Sequence, residues 1–190
     1  MVELRYNNLD PKSATMLATV AKEKRISLCG VTPEQTEADF SSYKTGSYMW
    51  PADAVHIAAD LTVRPSLTSI DLSENVIRSE GAKALAPALR DNTSITVVDL
   101  RYNQLDSESA TILANIAREK NISVCGIKPE QTEADFTPRN NGYNKLNAAD
   151  AILLAADLTV RPSVTSVRAL GNSWSSGECR GSCLLSMLVV

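Results

Sequence analysis

The chain repeats itself, and a repeat fixes an architecture before any local choice is made. Val2-Glu3-Leu4-Arg5-Tyr6-Asn7 returns as Val98-Asp99-Leu100-Arg101-Tyr102-Asn103, an offset of 96 counted from 2 to 98. Ile26-Ser27-Leu28-Cys29-Gly30 returns at the same offset as Ile122-Ser123-Val124-Cys125-Gly126. Pro-Glu-Gln-Thr-Glu-Ala-Asp-Phe stands at 33–40 and again at 129–136. Ala-Ala-Asp-Leu-Thr-Val-Arg-Pro-Ser begins at Ala58 and at Ala155, an offset of 97, so one residue has been inserted between. Such a chain stacks similar units side by side. That architecture suits binding along a surface better than enclosing a substrate in a pocket.

The totals narrow the class of function. With 190 residues, 44% hydrophobic and 22% charged, the chain has the composition of one folded domain. A net charge of −3 and a pI near 5.3 give no basic footprint for nucleic acid and no polybasic patch for a membrane. The apolar run at the end, Leu184–Val190, is interrupted by Ser186 and falls far short of the roughly 20 residues a spanning helix needs. Cys29 and Cys125 share one repeat position, so they read as small buried thiols rather than as a pair. Cys179 and Cys183 lie four apart, and the chain's single histidine is His56, which leaves a zinc site poorly supported. The expectation is a cytoplasmic protein with no cofactor and no metal.

A shorter period lies inside the long one. Leu67-Thr-Ser-Ile70-Asp-Leu72-Ser-Glu-Asn75-Val-Ile77 aligns without gaps on Ile95-Thr-Val-Val98-Asp-Leu100-Arg-Tyr-Asn103-Gln-Leu105, 28 residues on, from 75 to 103. Both read L-x-x-L-x-L-x-x-N-x-L, with Ile or Val at some of the Leu positions. This resembles the leucine-rich repeat, and the 28-residue period with a full helix per turn is similar to its ribonuclease-inhibitor-like class. The resemblance runs from Val2 to about Asn172. It implies an α/β solenoid, a horseshoe of about six coils with parallel strands on the concave face and helices on the convex face. In such a strand, Ile70 and Leu72 point inward and Asp71 outward. One coil cannot bury its apolar side alone and needs stacked neighbours.

Helices are expected after each strand. Asp10-Pro11 supplies a cap residue before a proline at the first helical position, and Ala14, Leu17, Ala18 and Ala21 then recur on an inward face. Asp106 opens the equivalent helix, with Ile112, Leu113, Ile116 and Ala117 inward. A third runs over about 79–90, and Pro87 inside it predicts a kink or early fraying. Further helices fall near 51–61 and 148–158, behind two degenerate strands at 38–40 and 134–136. The spacing from Leu4 to Phe40 and from Leu100 to Phe136 is 36, so those coils carry extra chain around Cys-Gly and Pro-Glu-Gln-Thr. The block 2–97 is thus duplicated as 98–172, with the second copy incomplete, which makes 1–172 the solenoid. Residues 173–190 form an irregular tail of no apolar period. The absence of polar caps suggests a fragment of a longer array or a tail that has left its reading frame, with a diverged cap as the alternative.

The outward residues of successive strands form a column: Glu3, Asp39, Asp71, Asp99, Asp135, then Arg168. Beside it run Arg5, Ser41, Ser73, Arg101 and Thr137. Acids stacked at ~4.8 Å repel one another, and a basic partner would relieve that. The plainer reading is that an acid is common at this position and is simply solvated. His56, with Asp53 and Asp60 on its helix, could suggest a catalytic cluster, but its counterpart in the second copy is Leu153, which places it at a packing margin. Tyr48 and Trp50 read as the largest exposed side chains, serving either as binding anchors or as cover for a helix end. The loops 43–50 and 139–147 are where the copies differ most. Three functions stand open. The first is non-catalytic protein binding on the concave strand face through Glu3, Asp39, Asp71, Asp99, Asp135, Arg5 and Arg101. The second, which the resemblance implies, is GTPase activation as in the Ran activators, with Arg5 or Arg101 as the supplied arginine. The third is a sensing segment of a larger signalling protein. The sequence sets neither the partner nor the oligomeric state.

Overall fold

The computed structural model describes residues 2–137 and 145–169. It is an α/β repeat fold in two layers. One layer holds short parallel strands: β1 (Glu37–Asp39), β2 (Ser69–Asp71) and β3 (Val97–Asp99) pair in that order, and β4 (Glu133–Asp135) pairs with β5 (Ser166–Arg168). The other layer holds helices α1 (Pro11–Lys24), α3 (Pro51–Val63), α4 (Arg78–Asp91), α5 (Ser107–Lys120) and α6 (Ala148–Val160), each packed on the next in chain order. A single turn of helix, α2 (Ser42–Thr45), follows β1. The core between the layers is one cluster in which alanines such as Ala21, Ala59 and Ala114 meet Leu67, Ile70, Leu72 and Leu100. Small side chains on the helices bring them close to the sheet.

The local rules hold at most helix ends. Asp10 and Asp106 accept from first-turn amides of α1 and α5, and Asn147 does the same for α6. Arg25 and Asn121 end α1 and α5 in the left-handed conformation. The asparagine of the repeat behaves as its position predicts. Asn75 Nδ2 donates to Leu72 O and Ser73 O in its own turn and to Phe40 O of the preceding one, while its Oδ1 accepts from Met49 N–H. Asn103 ties its turn to Leu72 O in the same way.

Several expectations are corrected. Pro87 neither ends nor shortens α4, which continues to Asp91, because the proline lies on the exposed side. Leu17 is not inward; it is 36% exposed. The strand expected at the start of the chain is reduced to a bridge between Glu3 and Cys29.

The largest correction concerns the 36-residue coils. Their extra chain contains a further rung of the strand layer. Val98 N–H donates to Ser123 O (2.9 Å), Leu100 N–H to Val124 O (3.0 Å) and Gly126 N–H to Val98 O (2.9 Å). The first block repeats this, with Leu4 N–H on Leu28 O and Gly30 N–H on Val2 O. The bridges set Ser123 on Val97 and Cys125 on Asp99, while in sequence Ile122-Ser-Val-Cys125-Gly-Ile127 resembles Ile95-Thr-Val-Val98-Asp-Leu100, with Gly126 aligned on the acid. The glycine is needed there. Its φ is +75°, and a Cβ at Gly126 would lie 2.8 Å from Asp99 Oδ2.

The other long motif fastens this rung. Asp157 on α6 accepts from Val124 N–H (2.6 Å), Cys125 N–H (2.9 Å) and the Ser123 hydroxyl. Asp60 does the same in the first block for Leu28, Cys29 and Ser27. The buried Arg161 guanidinium donates to the carbonyls of Ile127, Asn121, Val160 and Thr96. Arg64 donates to those of Val31, Arg25 and Val63. The duplicated Ala-Ala-Asp-Leu-Thr-Val-Arg-Pro-Ser is thus a clamp that satisfies buried backbone groups of the inserted rung.

Candidate functional site

The outward column is real over part of its length. The register sets Asp39 beside Asp71 and Asp71 beside Asp99. It is not a ladder of five acids. Cys29 and Cys125 are the bridge partners of Glu3 and Asp99, and the glycine after each, Gly30 or Gly126, lies against the carboxylate. Asp135 is paired in register with Arg168, their charged atoms 3.9 Å apart.

Each acid of the column also has a local duty. Its carboxylate accepts the backbone N–H two residues on: Glu3 from Arg5 (3.2 Å), Asp39 from Ser41 (3.0 Å), Asp71 from Ser73 (2.8 Å), Asp99 from Arg101 (3.1 Å) and Asp135 from Thr137 (2.9 Å). This is the side-chain turn that acids favour, and it closes the strand. Sequence reasoning missed this duty. The signal was available, because the same type of acceptor stands at the same strand end in the first five units.

Two of the acids are neutralised where they stand. Arg5 forms a forked pair with Glu3, its Nε on Oε1 (2.8 Å) and its Nη2 on Oε2 (2.6 Å), and stacks on the Phe40 ring at 4.2 Å. Arg101 forks onto Asp99 and stacks on Phe136 at 4.9 Å. The Arg101 side chain is 15% exposed and that of Asp99 is 6%. Burial works against the Arg101 charge, yet the Asp99 carboxylate holds the guanidinium above its ordinary pKa. Arg5 and Arg101 of the neighbouring column thus turn back onto the acids.

What remains is a groove of about 220 Å³ on the outward face of β2 and β3, lined by Asp71, Glu74, Asp99, Asp135, Arg101 and Lys128 among others. Asp71 is one of its lining acids. Burial, and then the nearby Asp99 carboxylate, push its pKa above the usual carboxylate range. Glu74 is 8% exposed and held in the left-handed conformation, with its N–H on Arg101 O. Asp39 lies one rung away, its carboxylate shared between the Ser41 amide and hydroxyl.

The other candidates separate from this face. His56 is not at a margin. It is fully buried on α3, and among the described residues neither ring nitrogen has a hydrogen-bond partner. Asp53 and Asp60 are occupied elsewhere, Asp53 with Tyr6 N–H and Trp50 N–H and Asp60 in the clamp. Cys29 and Cys125 are buried free thiols whose pKa burial raises well above the ordinary value. Among the described residues no three His, Cys, Asp or Glu side chains come together as a metal would require. Trp50 precedes α3 and is 44% exposed, with the Arg78 guanidinium 5.7 Å from its ring. Tyr43 and Tyr48 are exposed. Cys179, Cys183, the tail 173–190 and most of the loop 139–147 lie outside the described residues. No described helix is long and apolar enough to cross a membrane.

The leucine-rich repeat family model matches residues 64–86 and 91–114. Those stretches carry β2 and the first half of α4, then β3 and the first half of α5. The first lies in the 28-residue coil without extra chain, the second opens the 36-residue coil that begins at Leu100, and both stretches match the leucine-rich repeat. No curated protein matches the chain.

Proposed function

We propose that this protein is a non-catalytic, cytoplasmic scaffold that binds a protein partner on the outward, concave face of its strands, and that the partner presents basic side chains there. Leucine-rich repeats commonly serve as protein-interaction modules, which supports the general reading. The observation that carries the particular one is the run of Asp39, Asp71 and Asp99 in adjacent register beside the Glu74 groove. Of the three only Asp99 has an arginine forked onto it, so Asp71 in the groove and Asp39 one rung away carry no forked cation among the described residues.

The alternative of GTPase activation needs a free arginine. Arg5 and Arg101 are both forked onto carboxylates and stacked on phenylalanines, so either would have to leave that pair to reach a nucleotide. A GTPase-stimulation assay with Arg5→Ala and Arg101→Ala tests it directly.

The binding reading is tested with Asp39→Asn, Asp71→Asn and Glu74→Gln combined. Asparagine keeps the turn acceptor and removes only charge. Titration with lysine- and arginine-rich peptides, and a comparison of proteins captured by the parent and the triple variant, should both show loss in the variant. Equal binding by both, with an unchanged set of captured proteins, would leave the acids as turn formers alone.

A further inference from the structure

The duplication supplies an internal control for each surface of the first block, and one flank fails it. Leu113 and Ile116 on α5 are 0% and 1% exposed, with α4 packed against their helix. Their counterparts on α1, Leu17 and Val20, are 36% and 49% exposed, and Met16 beside them is 62% exposed. The side chains are equally apolar. The difference is the helix that covers α5 and has no equivalent ahead of α1 among the described residues.

The strand edge and the turn tell the same story. Asp99 O and Arg101 O accept from Leu72 N–H (2.9 Å) and Glu74 N–H (3.0 Å) of the preceding coil. Among the described residues no backbone N–H reaches Glu3 O or Arg5 O. Asn103 donates across the coil boundary to Leu72 O and accepts from Ile77 N–H, whereas Asn7 donates only within its own turn, to Leu4 O and Arg5 O.

We propose that this flank of the first block is a stacking surface for one further leucine-rich coil of the β2 and α4 kind, seated ahead of Val2 as β2 and α4 are seated ahead of Val98. Neighbouring coils of a solenoid recognise each other through an apolar helix flank, an open strand edge and a turn that reaches across. All three stand unfilled here. A lipid surface would use the apolar stripe alone and leave the carbonyl edge unmet. The β2 and α4 of a second copy are themselves enclosed, between β1 and β3 and between α3 and α5, so those elements cannot serve as the matching coil.

The test places a second copy of residues 66–97 directly before Val2 of the full chain, so that Val2 follows it as Val98 follows Val97. The melting midpoint should rise by about 5 °C or more. Oxidation of Met16 by dilute peroxide should slow on the order of tenfold, since susceptibility follows exposure. Val20→Lys should leave the midpoint of the unextended chain unchanged and remove both gains from the extended one. An extended chain that melts no higher, or does not fold, overturns the proposal, as do gains that survive Val20→Lys. Self-association of the unextended chain that Val20→Lys disperses would also overturn it and assign the flank to a second copy.

Discussion

Replacing His56 with leucine should stabilise the protein. The imidazole is fully buried on α3, with neither nitrogen bonded among the described residues. A neutral ring carries one donor and one acceptor, and each buried polar atom without a partner costs about 1–3 kcal/mol. The sister coil shows what the site accepts, because Leu153 is 0% exposed at the equivalent place on α6. Neighbours differ between the blocks, and a shape mismatch after such a swap costs up to about 1.5 kcal/mol. The net expectation is a gain of about 1–3 kcal/mol, or a melting midpoint higher by roughly 3–10 °C.

The pH dependence gives a second handle. Burial lowers the His56 pKa below its ordinary 6.5, with Asp53 and Asp60 opposing. The unfolded chain then takes the proton first. Stability is intact above the unfolded value and is lost as pH falls from there towards the depressed folded value. Asp157 moves the other way: burial raises its pKa to about 6, so protonation between that value and its ordinary 3.8 favours the folded chain. The two trends mix in the parent and separate in the difference between parent and variant. Urea unfolding followed by circular dichroism at pH 5, 6, 7 and 8 measures that difference. It should be flat near pH 8 and widen below pH 6.5, by at most about 1.4 kcal/mol per pH unit. A variant less stable than the parent at pH 7, or a gap that closes on acidification, would refute the account of His56 as an unpaired buried base.

The clamp and the inserted rung yield three more expectations, all readable by urea unfolding. Asp157→Ala strips Val124 N–H and Cys125 N–H of their acceptor and should cost about 2–4 kcal/mol, with Asp60→Ala costing a similar amount in the first block. Arg161→Lys replaces a planar fork that reaches four carbonyls with a point donor and should cost about 2 kcal/mol. Gly126→Ala forces a side chain into a φ of +75° and against Asp99, and should cost about 1–3 kcal/mol.

The fold was legible where the sequence is periodic. The strand at 69–71, the caps at Asp10 and Asp106 and the asparagine at 75 follow from alternation, capping and turn chemistry, each of which acts over a few residues. The rung at 122–126 was hidden because its two diagnostic positions had changed, Val98 to Cys125 and Asp99 to Gly126. It pairs through backbone groups, which carry no sequence signature. The roles of Asp157 and Arg161 were hidden for a related reason: most of their partners are main-chain atoms more than thirty residues away. His56 was misplaced because replacement by leucine in a sister coil marks an apolar site, and an apolar site is the middle of a core as readily as its edge. The candidate site was legible as a column of acids, while the rungs that interrupt it and the arginines that fold back onto it required the third dimension.

That column separates what the fold needs from what it merely carries. At each position the fold uses one carboxylate oxygen to close a turn, and an asparagine would do this equally well. Yet Asp39, Asp71 and Asp99 stand side by side, and like charges directly opposite one another in a sheet are destabilising by about 0.2–1 kcal/mol per pair. Asp71 has such a neighbour on both sides, and the raised pKa is the record of that repulsion added to burial. Asp71→Asn should therefore leave the turn intact and stabilise the protein by about 0.5–1 kcal/mol in urea unfolding at pH 7. If the same variant binds basic peptides less well, the charge is retained against the stability of the fold, as at functional sites generally. If it is destabilised by more than 1 kcal/mol, the carboxylate has a structural role that asparagine cannot fill, and the argument for a partner at this groove loses its footing.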